Sequence, residues 1–142
     1  MITQVIDSSA AIKWVVEEAG SPQAITLRSR SRLVAPDLLT AECANVLWKK
    51  VQRGEFNAEE ADLAARLLER SDVELMPMRG LLAEATKIAV AESHPAYDCI
   101  YLALALFNEW RFVTADERLV RRVKQSPNRR LADAVISLAE AA

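Results

Sequence analysis

The sequence predicts an α/β domain with a small central parallel sheet and helices on both faces. Three observations carry this expectation. Short β-rich apolar runs alternate with longer segments of helical period along the whole chain. No linker, repeat or break in composition divides it. The chain has 142 residues, 51% of them hydrophobic, with only 3 Gly and 5 Pro. That suits one domain with its own core, spanning residues 1–142, and excludes disordered or collagen-like chains.

The elements follow in order. Ile2–Ile6 is short, β-rich and ends on Asp7, a first strand. A helix over Ser8–Glu18 is expected from Ile12, Trp14, Val15 and Val16, with Gly20 just beyond it. Ser21-Pro22 reads as an N-cap followed by Pro at the first helical position, opening a helix to about Ser31. Leu33-Val34-Ala35 is a buried strand broken by Pro36, and Asp37–Arg53 is a long helix stopped by Gly54. Asn57 with Glu60 caps a helix to about Arg70. Val73–Met76 is a strand and Leu81–Glu92 a helix. Ala96–Glu109 is a strongly apolar helix expected to be buried nearly all round. Arg111–Thr114 is a strand, Asp116–Lys124 a helix, and Val135–Leu138 a short edge strand in a tail whose alanines otherwise favour helix.

Composition also narrows function. Gly20, Gly54 and Gly80 are too far apart for a dinucleotide fingerprint or a P-loop. The net charge is −2, which argues against a nucleic-acid partner until its distribution is seen. Residues 55–74 hold seven acids against Arg66 and Arg70, whereas residues 117–130 hold Arg118, Arg121, Arg122, Lys124, Arg129 and Arg130 against Glu117 alone. Such asymmetry permits an anionic partner on one face, although each cluster reads equally well as a solvated helix face. Cys43 and Cys99 form no metal-ligand or disulfide spacing, and no signal peptide or membrane span is expected, so a cytoplasmic protein is.

In an open α/β sheet, sites form beyond the carboxyl ends of the strands. Asp7 ends the first strand and Asp116 follows the strand Arg111–Thr114, although each could equally be a helix N-cap. Asp98 is the only charge in the run Tyr97–Phe107, where an unpartnered carboxylate is costly. Glu42, Asn45, Lys49 and Arg53 share one helical strip, which would line a cleft or face solvent. Four acids of this kind point to a hard cation such as Mg²⁺ or Mn²⁺. The single histidine, His94, reads as a surface or capping residue, and without a G-x-S-x-G it makes no hydrolase triad. A phosphoacceptor domain, which also places Asp at a strand end, finds no clean match.

The segments Val5-Ile6-Asp7-Ser8-Ser9, Pro36–Glu42, Tyr97–Ala105 and Phe112–Asp116 together resemble the PIN-domain ribonucleases, most closely the VapC-type toxins of bacterial toxin–antitoxin pairs. The resemblance implies a PIN-like three-layer α/β/α fold and an acidic quartet of Asp7, Glu42, Asp98 and Asp116. It implies that these hold Mg²⁺ or Mn²⁺ and hydrolyse RNA as an endoribonuclease, with Ser9 and Thr114 as supporting hydroxyls and Glu117 as an accessory acid. It further implies a VapB-like antitoxin and a homodimer. Candidate RNA contacts are Lys13, Asn45, Lys49, Arg53, Arg118, Arg121 and Arg122. An RNA-processing PIN nuclease without an antitoxin, and a non-catalytic PIN-like binding module, are the alternatives.

Overall fold

The computed structural model describes residues 1–141. Five strands, β1 (Ile2–Ile6), β2 (Ser31–Pro36), β3 (Glu74–Met76), β4 (Arg111–Thr114) and β5 (Val135–Ser137), form one parallel sheet in the order β3-β2-β1-β4-β5. Among the described residues the helices are α1 (Ser8–Ala11), α2 (Ser21–Arg30), α3 (Leu38–Gln52), α4 (Ala58–Glu69), α5 (Leu82–Glu92), α6 (Ala96–Asn108), α7 (Glu117–Lys124), α8 (Arg129–Ala134) and α9 (Leu138–Ala141). Two 3₁₀ turns, Ile12–Trp14 and Arg79–Leu81, complete the set. None of these helices is long and apolar enough to cross a membrane.

The strand order explains the layers. The chain steps outward from β1 through β2 to β3, then returns past β1 to β4 and β5. Right-handed crossovers therefore put α1–α4 on one face and α5–α8 on the other. The order reverses between β1 and β4, so the crevice for a site lies beyond the carboxyl ends of those two neighbours. Val5 and Ile6 pair there with Phe112 and Val113, and all four side chains are fully buried. α6 packs across β1, β2 and β4, with Tyr101 stacked on Phe112 at 5.5 Å between ring centroids.

Several boundaries differ from the sequence expectation, each for a local reason. The helix expected over Ser8–Glu18 stops at Ala11 and tightens into the 3₁₀ turn. The following loop is closed by Lys13, whose ammonium binds Glu18 and the Ala19 carbonyl, and by Ser21, whose hydroxyl donates to the Val16 carbonyl. Gly20, not Ser21, precedes α2. Its φ of 90° is the left-handed backbone that glycine alone adopts freely, and a Cβ there would sit 3.1 Å from the Lys13 chain. Pro36 ends β2 without breaking it, because β1 pairs with β2 only up to Val34 and leaves no partner awaiting a Pro36 N–H on that side. The capping box at Asn57 and Glu60 is present in both directions. α6 is buried through Tyr101–Ala105 but not all round, since Tyr97 and Phe107 at its ends are exposed. The tail supplies the expected edge strand as β5 and also the helix its alanines favour, α8, capped by the Asn128 side chain.

Candidate functional site

The chain leaves β1 at Asp7 and turns at once into α1. The Asp7 backbone is extended, so its side chain folds over the switch point and serves as the N-cap of α1. Ser9 donates its hydroxyl to Asp7 Oδ1 at 2.6 Å, and Thr114, the last residue of β4, donates to Asp7 Oδ2 at 2.7 Å. The two hydroxyl oxygens lie 3.2 Å apart, but each has only one proton and both protons are spent on Asp7. As acceptors they hold the next turn of chain. Ser9 Oγ takes the Ala115 N–H and Thr114 Oγ1 takes the Asp116 N–H. Two hydroxyls thus tie the ends of β1 and β4 together around one carboxylate.

Glu42 reaches the same crevice from α3. The Tyr101 hydroxyl donates to Glu42 Oε1 at 2.6 Å, so the ring that stacks on Phe112 in the core also fixes an acid at the rim. Asp98 comes from the first turn of α6 with its side chain about one-third exposed at 32%, and His94 Nε2 lies 2.7 Å from its Oδ2. Asp116 caps α7, accepting from the Arg118 and Leu119 N–H groups. Glu117 stands exposed beside it in the first turn of α7.

The electrostatics show which acids face one another. Burial pushes the Asp7 carboxyl up to about 6 against the opposing pull of the Ser9 and Thr114 hydroxyls, and the charges of Asp98 and Glu42 push it further in the same direction. Glu42 is raised by burial and by Asp98, against the Tyr101 hydrogen bond. The Tyr101 hydroxyl is itself raised well above its ordinary range by burial and Glu42. Asp7, Glu42 and Asp98 are therefore mutually repelling, while Asp116 joins Asp98 in the wall of an open cleft of about 510 Å³. Among the described residues no three His, Cys, Asp or Glu side chains stand close enough to close on one ion. The donor set is nonetheless all oxygen, and a divalent ion would reverse the repulsion, so the acids fit a hard cation in their chemistry.

The basic candidates divide. Arg118 and Arg121 line the cleft with His94, Asp98 and Asp116. Arg122 lines it too but spends one N–H on the Ser93 carbonyl. Lys13 is drawn away into its loop by Glu18 and Ala19. Asn45 and Lys49 sit exposed on α3 past Glu42, and Arg53 is exposed as its C-cap. Sequence reasoning missed two residues. Tyr101 was hidden among apolar neighbours, and His94 was read as surface although its side chain is only 12% exposed. The spacing of His94 and Asp98, four residues apart, was the available signal.

The family model described as PIN domain matches residues 5–125. VapC ribonuclease Mb0985 of Mycobacterium bovis is 34% identical over 115 residues, covering 81% of this chain and 87% of that protein. Ribonuclease VapC3 of Pyrobaculum aerophilum is 30% identical over 124 residues, covering 83% of this chain and 92% of its own. The crystal structure of PAE2754, also from Pyrobaculum aerophilum, superposes with a TM-score of 0.73 at 20% identity, over 98% of this chain and 85% of that one. That likeness bears out the three-layer α/β/α fold.

Proposed function

The chain belongs to the PIN-domain family, in its VapC-type ribonuclease branch, and from that premise we propose that it is a metal-dependent endoribonuclease, the toxin of a toxin–antitoxin pair. The observation that carries this reading is the convergence of Asp7, Glu42 and Asp98 from three separate elements at the β1–β4 switch point, beside a cleft lined by Asp116 and arginines. In this reading Asp7, Glu42, Asp98 and Asp116 hold Mg²⁺ or Mn²⁺, which, when bound, polarises the phosphodiester and makes hydroxide available near neutral pH. The chain's own residues do the rest. Ser9 and Thr114 hold Asp7 in place, and Tyr101 holds Glu42. Glu117, exposed beside Asp116 in the first turn of α7, is an accessory acid. Arg118 and Arg121 receive the phosphates flanking the scissile bond, countering the repulsion of an acidic site for RNA. The products carry a 5′-phosphate and a 3′-hydroxyl.

In this reading a VapB-like antitoxin silences the toxin, and an apolar groove supports such an interface. The groove, of about 290 Å³, runs between α3 and α4, lined by Leu39, Cys43, Leu47, Leu68 and Val73. Exposed apolar side chains on α5 and α6, Leu82, Val90, Tyr97 and Phe107, favour a homodimer. The two free, buried thiols suit a cytoplasmic setting. The test is incubation of wild type and Asp98→Asn with total RNA and Mn²⁺. Wild type is expected to cleave and the variant to lose several kcal/mol of transition-state stabilisation, about a thousandfold in rate. Equal cleavage by both proteins overturns the reading.

A further inference from the structure

Each of the three facing acids is held by a side-chain hydrogen bond. Among the described residues Asp7 has the Ser9 and Thr114 hydroxyls and the Ala10 N–H, Glu42 has the Tyr101 phenol, and Asp98 has the His94 imidazole. α6 lends no cap of its own, because Pro95 precedes it and contributes no side-chain hydrogen bond.

The position of His94 is built rather than incidental. Ser93 closes α5 in the left-handed region at φ 49°, an uncommon conformation for a residue with a Cβ. The His94 N–H returns to the Ala89 carbonyl at 3.2 Å. Pro95 then fixes the entry into α6. From across the cleft Arg122 donates to the Ser93 carbonyl, bracing the turn against α7. The result is an imidazole almost out of solvent with Nε2 aimed at Asp98.

The other ring nitrogen fixes the tautomer. His94 Nδ1 is buried and has no hydrogen-bond partner among the described residues. A hydrogen on Nδ1 would be a buried, unpaired donor, which is unfavourable. The pairing therefore puts the hydrogen on Nε2, where it donates to Asp98 Oδ2. A carboxylate so anchored through Oδ2 loses its freedom of rotation and keeps Oδ1 available for the acid cluster.

We propose that His94 is a positioning residue, which orients the Asp98 carboxylate for cation binding through its Nε2–H while making no contact with cation or substrate. The inference rests on the metal-dependent reading above. Outer hydrogen-bond partners of metal ligands typically contribute about 10–100-fold in affinity or activity when removed. The experiment is Mn²⁺ titration by calorimetry or electron paramagnetic resonance of wild type, His94→Ala, His94→Gln and Asp98→Asn, each also checked by thermal unfolding. The glutamine amide nitrogen reaches the place that Nε2 occupies. His94→Ala is expected to weaken Mn²⁺ binding by about 10–100-fold and His94→Gln to restore most of it, whatever their unfolding temperatures. Equal affinities for wild type and His94→Ala, with Asp98→Asn impaired, overturn the role of His94. So does equal loss in the alanine and glutamine variants, which marks His94 as merely structural. No Mn²⁺ binding by wild type overturns the metal-dependent reading itself.

Discussion

The two halves of the site are built on opposite terms. The Asp7 half is buried, formed by the ends of two central strands, and saturated with short hydroxyl donors. The Asp98–Asp116 half is open, formed by helix starts, and set among arginines. The buried half holds its acid rigidly but keeps it in surroundings that disfavour its charge. The open half leaves its acids partly exposed and able to meet a large polyanion. Rigidity and access are thus divided between neighbouring acids on one switch point, and the division can be broken one residue at a time.

Asp7→Asn should have the largest effect, and in two directions. Activity should fall about a thousandfold, as for any lost cation ligand. Stability should rise. The Asp7 carboxyl is raised from its ordinary 3.8 to about 6 in the folded protein, so the native state holds the proton more tightly than the unfolded chain. Its contribution to stability is full below pH 3.8 and is lost as the pH climbs through about 6. Asparagine never ionises and still accepts one hydroxyl. Urea unfolding at pH 8 should therefore show the variant more stable by about 1–3 kcal/mol, the gain vanishing as the pH is lowered to 4.

Thr114→Val attacks the clamp and not the acid. It keeps the shape but leaves Asp7 Oδ2 and the Asp116 N–H without their partner. A loss of about 1–3 kcal/mol is expected by urea unfolding at pH 8. That loss should shrink in the Asp7→Asn background, because the hydroxyl then no longer serves a buried charge, and a double-mutant cycle measures the difference.

Arg121→Ala should do least. On the open half it should leave stability within about 0.5 kcal/mol. RNA binding should weaken uniformly across sequences, with the slope of log affinity against log salt falling by about 0.7 for one lost phosphate contact to a single strand. Salt titration by fluorescence anisotropy reads this directly.

The two halves also differed in how far the sequence could be read. Asp7 and Asp116 stood out because a short apolar strand ending on an acid marks the carboxyl edge of a parallel sheet, a local pattern. The strand alternation likewise revealed the layers, down to the edge strand at Val135. The contacts that join the site were less local, and Ser9 and Thr114 enter the sequence reading only through the family resemblance. Thr114 and Ser9 meet across 105 residues and Tyr101 meets Glu42 across 59, distances that only the assembled sheet closes. Asp98 is less buried than its run of apolar neighbours predicts, with its side chain 32% exposed. It lies in the first turn of α6 at the cleft, and the helix is wholly buried only further along. The early end of α1 was equally hidden, since it depends on Lys13 and Ser21 closing a loop whose sequence reads as helix.

The claim that joins both halves is that these carboxylates stand ready for a divalent cation. Thermal unfolding of wild type and Asp7→Asn at pH 8, each with and without millimolar Mn²⁺, tests it without RNA, because an ion that binds only the folded state raises its unfolding temperature. Wild type should melt lower than Asp7→Asn in the absence of metal and gain several degrees on adding Mn²⁺, while the variant gains little. An equal Mn²⁺ response in the two proteins, or none in wild type, would contradict the account.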